Sequence, residues 1–296
     1  MKRTVVVGGA GGVGGLFARL CLSRGPVVSV DLRPASAAGV DSVVGDARTP
    51  TAAVLDAIRA ADIVVHALPE HVAVEAAAAC AGAVRPGALL AQTLSVQRGA
   101  CRDFTALAEE RGAEVCGLNP MFAPALGFAG NPVAAIRVVD GPRTAELLDL
   151  VAAAGAEVVE LSADAHDRTT AVLQVATHAA LLAFGTVVAD HVDQGGDPAE
   201  LVGLAPPPHL TALAMTARIS GGNPDVYWDI QAANPYASAA RAALAEGLLA
   251  LDKLASVGDR AGFADLLGRI EDRLDGQAPG LRDRCARLFA LPRDEG

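Results

Sequence analysis

An α/β domain built on a doubly wound, mostly parallel sheet, followed by an all-α domain, is the fold class this sequence predicts. Three observations carry that expectation. Short β-branched runs alternate with helix-forming segments up to about residue 163. A glycine-rich turn follows the first of those runs. Beyond residue 164 the strand-like runs vanish and long Ala/Leu-rich helices take over. The expected domains are therefore 1–163 and 164–296.

Composition sets the limits. The 296 residues are 52% apolar and 20% charged, enough for a large core, but only 3% are aromatic, so Ala, Val and Leu must fill it. A formal net charge of −10 argues against nucleic acid as a partner, because phosphate binding needs a basic face. Cys21, Cys80, Cys101, Cys116 and Cys285 are odd in number and contain no C-x-x-C. That pattern fits reduced thiols in a cytoplasmic protein and argues against a structural metal. Lys2 and Arg3 precede an apolar run broken at Gly8, too short for a signal peptide or a membrane span.

The elements follow in order. Thr4 to Val7 reads as a strand entering Gly8-Gly9-Ala10-Gly11-Gly12-Val13-Gly14-Gly15. Gly9, Gly11 and Gly14 fit G-x-G-x-x-G, a helix over Leu16–Arg24 follows, and a strand over Val27–Val30 ends at Asp31, 22 residues after Gly9. Strand, glycine turn, helix, strand and acidic residue together form the dinucleotide-binding context of a Rossmann domain. Gly9 is expected to make the turn, Gly11 to let a pyrophosphate approach, and Gly14 to pack the helix on the strand. The phosphates then sit on the helix N-terminus, with Gly12 and Val13 among the cofactor-binding residues, because its free N–H groups and dipole favour anions. Asp31 can accept from ribose hydroxyls and would repel a 2′-phosphate, so NAD is expected, although Arg33 lies close by. Ile63 to Leu68 reads as a buried strand closed by Pro69, and a helix over 71–84 follows. Ala88 to Thr93 is the next strand and delivers Leu94-Ser95-Val96. A helix over 100–111 leads to the apolar run at Val115, which ends in Asn119-Pro120-Met121-Phe122. Pro120 stiffens that exit and can hold Asn119 at a fixed point. Loops at the carboxyl ends of parallel strands line the ligand crevice, so Leu68, Pro69, Ser95 and Asn119 belong on one rim. Strands over 133–138 and 158–161 flank a helix over 143–153. His66, inside a strand, and His71 read as structural.

In the second half, residues 165–192 read as one long helix, and helices are expected over 209–220, 224–232, 235–256, 259–274 and 279–289. Helices this apolar need more than one covered face, which points to a homodimer. Arg218 sits in an apolar helix and must either grip a substrate carboxylate or form a structural ion pair. His178 follows Gln174 by four residues on one helix face; the two either face a substrate cleft or belong to the core.

With these residues in hand, the chain resembles the prephenate dehydrogenase family, arogenate and cyclohexadienyl dehydrogenases included, over nearly its full length. The resemblance rests on Gly9–Gly14, on Leu94-Ser95-Val96-Gln97-Arg98-Gly99 and on Asn119-Pro120-Met121-Phe122. It rests also on Asp164-Ala165-His166-Asp167 and on Ala214 to Ile230. It implies a Rossmann domain, a helical dimerisation domain and NAD(P)-dependent oxidative decarboxylation of a cyclohexadiene dicarboxylate. Carried over by position, Ser95 hydrogen-bonds near the nicotinamide and ring C4, and Arg218 grips a substrate carboxylate. The family pattern is His-Pro, and its histidine draws on the substrate 4-hydroxyl. Here the residue is Asn119, and an amide cannot serve as a base. Three readings follow: a slow prephenate or arogenate dehydrogenase, an NAD-binding relative that has lost catalysis, or a substrate that needs no base. The third is satisfied by 4-amino-4-deoxyprephenate, whose amine lone pair expels hydride without prior proton loss. Relatives that use this amine serve aminophenylalanine-derived secondary metabolites such as antibiotics, and the chain looks like one of them. Gln97 and Trp228, where many relatives have Lys and some have Arg, are expected to remove positive charge near the site.

Overall fold

The computed structural model of the chain describes residues 2–291. The chain divides into two compact units, Met1–Thr170 with Asp225–Pro235, and Ala171–Pro224 with Tyr236–Gly296. The first unit thus runs past the boundary expected at 163/164 and recovers a segment from far downstream. The reason is a set of polar bonds: Asp167 accepts the backbone N–H groups of Gln97 and Arg98, and Asn234 Nδ2 donates to the Asp167 carbonyl at 2.9 Å.

The first unit is an eight-stranded sheet. Its elements run β1 (Thr4–Val7), α1 (Gly12–Cys21), β2 (Val27–Asp31), β3 (Val40–Val44), α2 (Ala52–Arg59), β4 (Ile63–His66) and α3 (Glu70–Cys80). They continue with β5 (Leu89–Gln92), α4 (Arg98–Glu109), β6 (Glu114–Pro120), β7 (Pro132–Val139), α5 (Pro142–Ala153), β8 (Glu157–Glu160) and α6 (Ala163–Thr170). The sheet order is β3-β2-β1-β4-β5-β6-β7-β8. All pairs are parallel except β6 with β7. That pair is antiparallel because no crossover helix separates the strands, only a loop carrying a 3-10 turn at Pro124–Leu126.

Period-two alternation splits the core between the two faces of the sheet. Val5 and Val7 join Val54, Ile58, Ala76 and Phe104 on one face, while Val6 joins Phe17, Leu147 and Val151 on the other. Covered on both sides, β1, β4 and β5 are buried at every residue. Strand β3 and helix α2 go beyond the elements expected from the sequence. Val40-Asp41-Ser42-Val43-Val44 lies on the sheet edge with three of its five residues exposed, so it lacks the apolar run of its neighbours.

The second unit is helical. A π-helical turn at Ala171–Ala176 opens it, and α7 (Thr177–Asp193), α8 (Pro198–Gly203) and α9 (Pro207–Ser220) follow. Helix α10 (Pro224–Ala232) lies, apart from its first residue, in the downstream segment that belongs to the first unit. Then come α11 (Ala237–Ser256), α12 (Arg260–Arg273) and α13 (Ala278–Phe289). The single helix expected over 165–192 is therefore interrupted: the widened turn at 171–176 shifts the hydrogen-bond period in its middle. Helices α7 and α9 approach closely, since a methyl group on Gly185 would meet Thr216 Cγ2 at 2.7 Å and Thr216 Oγ1 donates to the Leu181 carbonyl at 3.2 Å. Residues 163–193 also form a helical stretch long and apolar enough to cross a membrane by length and composition, although the sequence reading expects no membrane span. A helix that lines an apolar subunit interface has the same character.

Candidate active site

The topological switch point of the sheet lies between β1 and β4, where the strand order reverses. Gly8, at the end of β1, has φ +87°, and its N–H donates to the Val30 carbonyl at 2.8 Å. Gly8 thus takes the left-handed conformation as the chain leaves β1, and Gly9 lies inside the turn that the Gly11 N–H closes on the Gly8 carbonyl at 3.1 Å. Gly9 serves differently, because a Cβ there would run into Ser29. Gly14 lies against Gly8, so a Cβ would overlap the Gly8 carbonyl and push α1 off the turn. Gly11 is the N-cap of α1 and offers no side chain, so nothing on the residue itself blocks the first N–H groups of the helix. Asp31 closes the loop from β2. Its Oδ2 accepts from Ala10 N and its Oδ1 from Arg33 N, both at 3.1 Å. Each oxygen keeps a lone pair for a ribose hydroxyl. Gly12 and Arg33 are exposed, Val13 is half-buried, and Leu68 and Pro69 carry the chain from β4 into α3. This is a cradle with room for a pyrophosphate and an acidic side chain beside it.

The second half of the site is a polar chain buried between β5, β6 and α6. Asn119, in β6, is 3% exposed and its backbone pairs with Ala134 of β7. Its Nδ2 lies 3.0 Å from His166 Nε2, and His166 Nδ1 lies 2.8 Å from Asp167 Oδ1. Asp167 also accepts the N–H groups of Gln97, at 2.8 Å, and Arg98, at 2.9 Å, which fastens the loop that carries Ser95 to the start of α6. Gln97 Nε2 donates to the Leu94 carbonyl at 2.7 Å and to the Leu118 carbonyl at 3.3 Å. The Ser95 loop and the residue before Asn119 are thus tied to one amide. Gly117 must be glycine, since a Cβ would strike the Gln97 side chain. Ser95 itself is half-buried.

One expectation needs correction here. Gln97 does not tune charge at a ligand surface; it is wholly buried and consumed by Gln92, Leu94 and Leu118. Trp228 is 70% exposed. His66 behaves as expected of a core histidine: it meets Phe104 edge-on, and burial lowers its pKa to about 4. Gln92, Asp167 and Asn234 are polar members of the site that sequence reasoning misses. Their partners lie far away in sequence, and only the Asp167 motif offers a signal.

In the helical unit, Gln174 lies on the π-helical turn with its Oε1 buried and without a hydrogen-bond donor. His178, one turn further, has its pKa lowered by burial first and by the Arg218 guanidinium second. Arg218 is exposed, and it makes no ion pair with a carboxylate among the described residues.

Residues 162–268 match the family model described as prephenate dehydrogenase, dimerization domain. The chain is 49% identical over 290 residues to a 4-amino-4-deoxyprephenate dehydrogenase of Streptomyces pristinaespiralis, covering 97% of this chain and 96% of that one. Its fold is shared by the prephenate dehydrogenase of A. aeolicus, crystallised with hydroxyphenyl propionate and NAD+. There the TM-score is 0.71 at 18% identity, over 92% of this chain and 97% of the other. It is shared also by a Synechocystis arogenate dehydrogenase, with a TM-score of 0.62 at 17% identity over 95% of this chain and 100% of that one. An identity of nearly one residue in two, sustained from end to end, means that this chain belongs to the prephenate dehydrogenase family.

Proposed function

We propose that the chain is an NAD-dependent dehydrogenase that converts 4-amino-4-deoxyprephenate to 4-aminophenylpyruvate and CO2. The observation that carries this reading is Asn119: where the family resemblance implies a histidine base, the chain has a buried amide held at the carboxyl end of β6. The relative with 49% identity bears the name of that activity.

The chemistry follows from what an amide can do. The nicotinamide accepts the hydride that leaves ring C4. A neutral amine on C4 supplies the electron pair that expels it, and the resulting iminium draws out CO2 from C1 as the ring becomes aromatic. Atoms and charge balance without a proton being taken by the protein. A hydroxyl is a poorer electron donor and benefits from a base, which Asn119 cannot be. Asn119 Oδ1 accepts an N–H of the amine and orients it. Ser95 supports the same edge of the ring, and Arg218 grips a carboxylate with Gln174 and His178 beside it. The glycine turn, the open end of α1 and Asp31 hold the pyrophosphate and ribose, with Gly12, Val13, Arg33, Leu68 and Pro69 around them. The exposed apolar helices support a homodimer, and the product suits secondary metabolism of aminophenylalanine type in the cytoplasm.

The test is NADH formation with each substrate. Turnover of the amino compound at least tenfold faster than prephenate in kcat/KM is expected. Fast turnover of prephenate with none of the amine makes the chain a tyrosine-pathway enzyme. Tight NAD binding with no turnover of either makes it a binding protein.

A further inference from the structure

We propose that His166, held by Asp167, is a positioning residue that decides which end of the Asn119 amide is presented to substrate. This deepens the substrate reading above and rests on it for its catalytic consequence, not for its geometry.

The chain of bonds starts from Asp167. Its Oδ1 lies 2.8 Å from His166 Nδ1, so that nitrogen carries a proton. The carboxylate is fixed in turn by the N–H groups of Gln97 and Arg98, and His166 and Asp167 are 1% and 0% exposed. A neutral imidazole protonated at Nδ1 has a bare lone pair at Nε2. The atom that meets that lone pair, at 3.0 Å, is Asn119 Nδ2. One amide N–H therefore donates inward. Turning the amide over would set Oδ1 against Nε2, lone pair against lone pair, in a buried place where a lost hydrogen bond is costly. Asn119 Oδ1 is thereby turned away from His166, and no donor among the described residues reaches it.

The consequence is one of polarity. An amide side chain is ambivalent, since one end donates and the other accepts. Alone, Asn119 could present its NH2 to a substrate oxygen as readily as its carbonyl to a substrate N–H. The Asp167–His166 pair removes that freedom and makes position 119 an acceptor only. An acceptor suits an amine whose lone pair must stay free to expel hydride, because the amine is held through N–H. A donor at the same place would engage that lone pair and slow the reaction. His166 thus acts through Asn119 and touches no reacting atom.

The experiment has two arms. Protein labelled with 15N-histidine, without substrate, reports the His166 tautomer in long-range proton–nitrogen spectra, with His166→Phe used to assign the signal among six histidines. The Nδ1–H tautomer is expected at neutral pH; an Nε2–H tautomer or an imidazolium overturns the proposal. In the second arm, kcat/KM is measured for the amino and hydroxy substrates in His166→Phe and His166→Gln. The ratio of amino to hydroxy preference is expected to fall about tenfold in the Phe variant, the worth of one buried hydrogen bond. The Gln variant, whose Oε1 can accept from Asn119, is expected to recover most of it. An unchanged ratio in the Phe variant, or a parallel loss on both substrates, overturns the proposal. The tautomer arm needs no turnover, and its reading is taken from the wild-type protein. Failure of the substrate reading therefore shows in the wild-type rates, and failure of the positioning role shows in the spectrum.

Discussion

In the sheet unit, β1, β4 and β5 are buried at every residue, and the buried polar side chains around the candidate site pair with one another. Asn119 meets His166, His166 meets Asp167, and Gln97 meets Gln92. In the helical unit, α7 and α12 bury no residue, and Val187, Leu248, Leu249, Leu267 and Ile270 are exposed. The contrast teaches that one unit is finished by its own chain and the other is not. Buried polar groups that are satisfied fix a single geometry, which is what a site for hydride transfer requires. Exposed apolar stripes on helices ask for a partner, and the match to a dimerization domain over 162–268 names the kind.

The largest effect comes from breaking the finished unit at its tightest point. Gly14→Val sets a side chain against the Gly8 carbonyl. A backbone overlap costing on the order of 3 kcal/mol corresponds to a roughly 100-fold loss of NAD affinity, read by calorimetry. Affinity within threefold of wild type would mean that the cradle does not hold the cofactor. The unfinished unit is broken from outside. Leu248→Glu replaces an exposed apolar side chain with a charge. If a partner covers it, about 2 kcal/mol is lost and dimer dissociation strengthens roughly 30-fold, measured by light scattering over a dilution series. A wild-type chain that is monomeric at micromolar concentration dissolves the comparison. A smaller effect sharpens it: Asn119→His restores a base beside an intact network and is expected to raise kcat/KM on prephenate roughly tenfold, below the usual range for general-base catalysis because the pocket was built for an amide. No gain on prephenate would mean that position 119 does not set the preference.

The sequence made the glycine turn, Asp31 and the alternation of elements legible, because each is written in a local pattern of residues. It did not reveal the left-handed conformation of Gly8 or the packing of Gly9 on Ser29, since both are set by Ser29 and the chain after β4, which no short motif records. Helix boundaries in the second half were readable from Pro and Gly, but the π-helical turn at 171–176 was not, because a shift in hydrogen-bond period leaves composition unchanged. The bond between Asn119 and His166 joins residues 47 apart and has no signature in either segment. Arg218 illustrates a milder limit. An arginine in an apolar helix announces that it needs a partner, and among the described residues no carboxylate pairs with it.

Glu70 is one of several buried polar groups in the sheet unit without a partner, beside atoms of Ser29, His66, Arg85 and Thr144, and it gives the smallest and most specific prediction. Glu70, at the start of α3, has its Oε2 buried without a hydrogen-bond donor. Asp229 accepts the Glu70 N–H at 3.2 Å and so keeps its own negative charge close. Burial first, then Asp229, Asp167 and Asp103, raise the Glu70 carboxyl from 4.5 to about 7. The folded state therefore holds this proton more tightly than the unfolded chain does. Its contribution to stability is complete below the unfolded value of 4.5 and is lost as pH rises through about 7. Glu70→Gln keeps the shape and removes the charge. Its Tm is expected to match wild type near pH 4 and to exceed it by on the order of 3 °C at pH 8, after allowance for solvent screening of a group that is not fully buried. Equal melting curves at both pH values would mean that the ionised carboxylate finds relief in water. A lower Tm for the variant at pH 8 would mean that the charge is satisfied after all, and that the sheet unit has no unpaired polar group at this corner of its site.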